Sequence, residues 1–155
     1  MRLVQHRCWH ECFTTEAQRA QRSQRMTHNE VSSLVIKAAI AVHRALGPGL
    51  LESVYQVCLL AELKSMGLRV QEQVAVPIVY RGERLANDLR IDLLVEDRVI
   101  VEIKAVEELH PIHTAQLLTY LKLTNKKLGL LINFNTTKLI EGLERVMNGY
   151  LDEGE

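Results

Sequence analysis

Three charged side chains sit in or beside two apolar runs: Asp92 within residues 91–95, and Glu102 and Lys104 at the end of residues 99–104. The polar Glu96-Asp97-Arg98 separates the runs, which is the pattern of a β-hairpin. If the turn takes those three residues, Val95 faces Val99 and Asp92 faces Glu102. Lys104, two residues further, then shares their face, because strand side chains alternate. Two facing carboxylates repel at neutral pH and need a compensating cation. Lys104 supplies one charge, and a divalent ion is the better match. Hard carboxylate oxygens at adjacent strand ends suit Mg²⁺ or Mn²⁺, which keep several waters and take substrate phosphate oxygens. Such an ion polarises a phosphodiester and lowers the pKa of water, while a neighbouring lysine orients that water or stabilises developing charge. The competing account is an ion-paired hairpin exposed to solvent on that face. Register matters to the first account: a two-residue turn at Glu96-Asp97 would send Asp92 and Glu102 to opposite faces.

The elements that must position the hairpin read in the order α-α-β-β-β-α-β-α, with no internal repeat. The first helix starts at Thr27, capped by Thr27 or Asn29, and repeats Val31, Leu34, Val35, Ala38, Val42 and Leu46 at helical spacing. Gly47-Pro48-Gly49 must end it. His43 lies in its last turn, where a basic group suits the helix C-terminus. A second helix spans residues 50–66 and closes at Gly67, with Leu51, Val54, Tyr55, Cys58, Leu59 and Leu63 as its buried stripe. Glu52 falls in its first turn, where the helix dipole favours a carboxylate without any further role. Residues 68–80 are extended, and Pro77 there implies an edge or a bulge. After an Arg81-Gly82 turn the chain returns over residues 84–95, irregular near 86–88, and so completes an antiparallel meander with the hairpin. A third helix runs from Pro111 to about Thr124 and carries Gln116 and Tyr120 on one face. Residues 128–134 form a continuous apolar run, a strand buried on both sides that pairs parallel to residues 99–104. Helical spacing returns at Leu139, Leu143, Val146 and Met147.

At 155 residues, 47% hydrophobic and 25% charged, the chain reads as one domain over residues 28–150. Residues 1–27 form a disordered or loosely helical leader of non-native character, with Met26 as an alternative start, and residues 151–155 a frayed tail. His6, Cys8, His10 and Cys12 alternate there, but the spacing matches none of the common structural zinc patterns. The net charge is zero, which lowers the odds of tight non-specific binding to a polyanion but leaves room for a local basic rim. No secretory signal precedes the three cysteines, and no run has the length of a membrane span, so a cytoplasmic protein without membrane contact is expected.

Asp92, nine intervening residues and then Glu102-Ile103-Lys104 resemble the D…(D/E)-x-K core of the PD-(D/E)XK nuclease superfamily. Gln116 and Tyr120 in Q-L-L-T-Y resemble the Q-x-x-x-Y helix of its exonuclease-like branches. Gly49-Leu-Leu-Glu52-Ser-Val-Tyr55, with the His43 segment before it and Leu131-Ile-Asn-Phe134 after, is similar to the small bacterial GxxExxY proteins of that superfamily. The resemblance implies a restriction-endonuclease-like α/β (α+β) core, a mixed sheet with an antiparallel meander flanked by helices. It implies a nuclease using Mg²⁺ or Mn²⁺ on nucleic acid, DNA in preference to RNA. Asp92 and Glu102 would hold the metal, with the Ile103 carbonyl as a third ligand. Lys104 would position the attacking water, Glu52 would add an acid, and Gln116 and Tyr120 would contact the water or the substrate phosphate. His43 and Tyr55 would support or pack around the site. The superfamily's proline before the first aspartate is absent, and Arg90 near that place would add a phosphate contact. A homodimer would supply two active sites for cutting both strands. A catalytically inactive module of the same fold, binding nucleic acid or a protein partner, is the alternative.

Overall fold

The computed structural model describes residues 16–18, 21, 26–85 and 88–151. Residues 16–18 and 21 are helical. The zinc-like set His6, Cys8, His10 and Cys12, the remaining residues before Met26 and the tail beyond residue 151 lie outside the described residues.

Helix α1 (His28–Leu46) opens on a reciprocal cap: the Glu30 backbone N–H donates to Thr27 Oγ1 at 3.2 Å, and the Thr27 N–H donates to Glu30 Oε2 at 2.7 Å. Helix α2 (Glu52–Ser65) follows after the Gly-Pro-Gly break. Strand β1 (Val70–Val76) stops one residue before Pro77, and it is an edge strand, as the proline requires. A two-stranded hairpin, β2 (Val79–Tyr80) and β3 (Glu83–Arg84), joins it to β4 (Leu89–Val95). Then come β5 (Val99–Lys104), α3 (Pro111–Thr124), β6 (Leu128–Asn133), a 3₁₀ turn at Leu139–Gly142 and β7 (Leu143–Met147). The five-stranded sheet has the order β1-β4-β5-β6-β7. β1, β4 and β5 form the antiparallel meander, and β5 pairs parallel to β6, both as the apolar patterns indicate.

Helices α1 and α2 cover one face of this sheet through Val31, Val35, Leu59 and Leu63 against Leu93, Val101, Leu130 and Ile132. Helix α3 covers the other through Leu117, Tyr120 and Leu121 against Ile100 and Leu131. It can lie close because β6 carries Gly129, where an added Cβ would come within 2.8 Å of Leu117 Cδ1.

Two expectations fail. The C-terminal segment is not a helix: β7 pairs antiparallel with β6 from Leu128↔Met147 to Ile132↔Leu143. Without it β6, buried along its whole length, would present an open row of backbone groups. A helix there would also carry Gly142 in its interior at a cost of about 1 kcal/mol. The stripe on α2 is rotated as well. Leu51 and Val54 are exposed and Leu60 is buried, because the helix begins at Glu52 and seats on Tyr55, Leu59 and Leu63.

Candidate active site

The hairpin sets the geometry. Its tight turn is centred on Glu96 and Asp97, both with positive φ (53° and 55°), and the Arg98 N–H donates to the Val95 carbonyl at 3.0 Å. A two-residue turn alone would pair Val95 with Arg98 and send the two acids to opposite faces. Arg98 is an extra residue, so the paired rungs are Val95↔Val99, Leu94↔Ile100 and Leu93↔Val101. The ladder ends there, and continuing its register by one position sets Asp92 opposite Glu102. The turn is held from both sides: buried Glu96 accepts the Arg69 N–H at 2.7 Å, and Lys126 Nζ reaches the Asp97 carboxylate at 2.8 Å. Leu94 and Ile100 pack toward α3, so alternation along β5 points Glu102 and Lys104 the same way, and Asp92 stands where the alternation of β4 breaks.

At Asp92 strand β4 leaves β5. The Ile103 N–H, which would otherwise lose its partner, donates to Asp92 Oδ2 at 2.8 Å. Lys104 Nζ donates to Glu102 Oε1 at 2.8 Å, and both side chains are largely buried. Glu102 Oε2 is buried and has no hydrogen-bond partner among the described residues. Burial pushes the Glu102 carboxyl from 4.5 up to about 7; the Asp92 charge adds to the rise and Lys104 opposes it. Burial also raises Asp92, against the Ile103 N–H, Lys104 and a hydrogen bond from Gln73. For Lys104, burial alone would lower the pKa. The hydrogen bond and charge of Glu102, with Glu52 and Asp92, hold it above its ordinary value.

Glu52 reaches this cluster from the first residue of α2. Burial raises its carboxyl, Lys104 and the Ala105 N–H oppose the rise, and the Asp92 and His113 charges also act on it. The loop before it explains the G-x-x-E-x-x-Y spacing. Gly49 has φ +97°, a conformation open to glycine, and Tyr55, fully buried and stacked on Phe134 at 4.5 Å, donates its hydroxyl to the Gly47 carbonyl at 2.7 Å. The Leu50 N–H donates back to the same hydroxyl at 3.1 Å. Glu52 is thereby aimed from a fixed corner. On α3, Gln116 Nε2 donates to the Tyr120 hydroxyl at 2.7 Å. Burial raises the Tyr120 pKa, and the charges of Glu102, Lys104 and Asp92 all register at it, so the pair faces the cluster.

Glu52, Asp92, Glu102, Lys104, Gln116 and Tyr120 thus come together from α2, β4, β5 and α3. His43 does not join them: its Nε2 lies 2.8 Å from the Thr136 carbonyl and ties α1 to the segment after β6. Tyr55 acts on the loop instead of the cluster, and Arg90 is exposed on β4 opposite Ala75. Four further participants were given no role from the sequence. Gln73 stands across the sheet from Asp92 and favours its ionised carboxylate, and Gln56 accepts from Gln73 at 3.2 Å. His113 lies within electrostatic reach of Glu52 and borders an open cleft of about 540 Å³ with Glu107, Glu108 and His110. Buried Asn133 holds the chain just beyond Lys104, accepting the Val106 N–H at 3.1 Å and donating to its carbonyl at 2.9 Å. The Asn133 signal was present, since a polar residue ends an otherwise apolar strand.

These features define a mixed α/β domain whose central strands carry a carboxylate pair and a lysine, with a third acid delivered by a helix N-terminus. The chain belongs to the PD-(D/E)XK nuclease superfamily, whose family model matches residues 29–146. No curated protein and no solved structure matches it. No helix among the described residues is long and apolar enough to cross a membrane.

Proposed function

We propose that this chain is a divalent-metal-dependent nuclease of the GxxExxY type that hydrolyses phosphodiester bonds, in DNA in preference to RNA. Membership of a superfamily of nucleases that generally use divalent metals supports the reading. The observation that carries it is Glu102 Oε2, a buried carboxylate oxygen with no hydrogen-bond partner among the described residues. Leaving such an atom unsatisfied costs about 1–3 kcal/mol, more for a charged group, and a hard cation is a partner that relieves it. Asp92 and Glu102 would hold Mg²⁺ or Mn²⁺. The Ile103 carbonyl is suited to join them: the Lys104 carbonyl accepts from the Phe134 N–H at 2.8 Å, so alternation turns that of Ile103 toward β4, where the ladder has already ended. Among the described residues no three His, Cys, Asp or Glu side chains form a ready cage. Mg²⁺ needs only one or two carboxylates, with water and substrate phosphate completing its shell.

The ion, when bound, supplies Lewis acidity at the phosphate and makes water more acidic. Lys104 Nζ, cationic and anchored on Glu102, orients the attacking water and stabilises charge on the phosphoryl oxygens. Glu52 accepts a proton or completes the acid set from the helix start. Tyr120, held by Gln116, offers its hydroxyl to a substrate phosphate oxygen. Cleavage of single-stranded, double-stranded or branched substrates with Mg²⁺ or Mn²⁺ is expected from the purified protein, and its loss in Glu102→Ala and Lys104→Ala. No cleavage of any of these with either metal would reject the reading. The Lys104–Glu102 ion pair at 2.8 Å also favours a second reading, a non-catalytic module whose charges satisfy each other. Calorimetry that detects no Mg²⁺ or Mn²⁺ binding at millimolar concentration would select it.

A further inference from the structure

Strand β1 leaves extended geometry at a single residue. Gln73 has φ +49°, although it is neither glycine nor asparagine and sits in the middle of the strand. The rungs Glu72↔Leu93 and Val74↔Ile91 bracket it, so its partner across the sheet is Asp92, and that rung is missing from the ladder. The facing of both strands inverts there. Val70, Leu93 and Val95 pack toward α1 and α2, whereas Val74, Val76 and Ile91 pack toward α3. Unbroken alternation would have put Val70, Val74 and Val76 on one face, and Ile91, Leu93 and Val95 on one face. Backbone strain at a functional cluster costs on the order of 1–3 kcal/mol and persists where the surroundings over-determine it.

The surroundings here are specific. The Gln73 side chain stands across the sheet from Asp92 and favours its ionised carboxylate, and its Nε2 donates to Gln56 Oε1 at 3.2 Å. Gln56 lies one helical turn after Glu52 on α2. We propose that Gln73 is the positioning residue of the site: its left-handed backbone turns its amide onto Asp92, fixing that carboxylate and tying β4 to the helix that carries Glu52. The inference rests on the nuclease reading only for what Asp92 would ligate; the orientation of Asp92 is a property of the chain alone. Gln73 has little direct signal in sequence, because an exposed glutamine in a strand is ordinary.

The decisive variant is Gln73→Gly, which accepts the backbone conformation and removes the amide. Relative to the parent protein, thermal stability should be equal or higher. The Ile103 amide, held by Asp92 Oδ2, should exchange its hydrogen at least tenfold faster, while Val101 is unchanged. Mn²⁺ affinity by calorimetry should fall on the order of 10- to 100-fold, as for other residues that orient a metal ligand. Gln73→Glu, of the same shape but without donors, should also lose affinity. Unchanged Ile103 exchange together with Mn²⁺ affinity within twofold in Gln73→Gly would overturn the proposal and leave Gln73 as a bend only. If the parent protein binds no Mn²⁺, the nuclease reading fails separately, and Ile103 exchange still decides the role of Gln73.

Discussion

Glu102 concentrates the tension of the site. Its carboxyl is buried, shares its face with Asp92, and is matched by Lys104 through only one of its two oxygens. An acid with a folded-state pKa above its unfolded value binds more protons when folded, so stability falls as pH rises between the two values. For Glu102 that window runs from 4.5 to about 7, and complete ionisation costs on the order of 3 kcal/mol. Glu52 and Asp92 are raised in the same direction and add to the slope. The metal-free protein should therefore unfold at lower urea concentration at pH 8 than at pH 5. Glu102→Gln should lose most of that difference and be at least as stable as the parent protein at pH 8. Parallel stability curves for the two proteins would show that Glu102 is not under this strain.

The hairpin and the corner before α2 carry the site at the level of elements. Tyr55 makes two hydrogen bonds to the Gly47 to Leu50 corner while its ring is stacked and fully buried. Tyr55→Phe keeps the ring and removes both bonds. Each is worth about 0.5–1.5 kcal/mol net, so denaturant unfolding should report a loss of roughly 1–3 kcal/mol, with turnover reduced because Glu52 is no longer aimed. A variant as stable and as active as the parent would remove Tyr55 from the positioning of Glu52. Much of this level was legible in the sequence. Asp92, Glu102 and Lys104 were found because charge inside apolar strands is anomalous, and the register followed from counting residues 96–98. Residues 139–150 were misread because their apolar spacing fits a helix, while the need to cover the open edge of β6 is a tertiary demand that spacing does not encode. Gln73 was missed for a related reason: its role depends on a backbone angle and on a partner nineteen positions away, at Asp92.

For the molecule as a whole, separate elements are stitched together at the place where like charges meet. Helix α2, strands β4 and β5 and helix α3 each bring one or two groups to it, so relief of repulsion there should be felt globally. A ligand that binds only the folded state stabilises by mass action, about 2.7 kcal/mol at a hundredfold excess over its dissociation constant. For a chain of this size that corresponds to a rise in melting temperature of roughly 5 to 10 °C. Saturating Mn²⁺ at pH 8 should produce such a rise in the parent protein, where the acids are ionised and the cation has most to neutralise. The rise should vanish in Asp92→Asn and in Glu102→Gln. His43→Gln is the control: it breaks the 2.8 Å contact with the Thr136 carbonyl and should lower the starting temperature while keeping the Mn²⁺ increment. An increment of equal size in all four proteins would mean that the ion binds elsewhere on the surface, and the shared site of Asp92 and Glu102 would have to be abandoned.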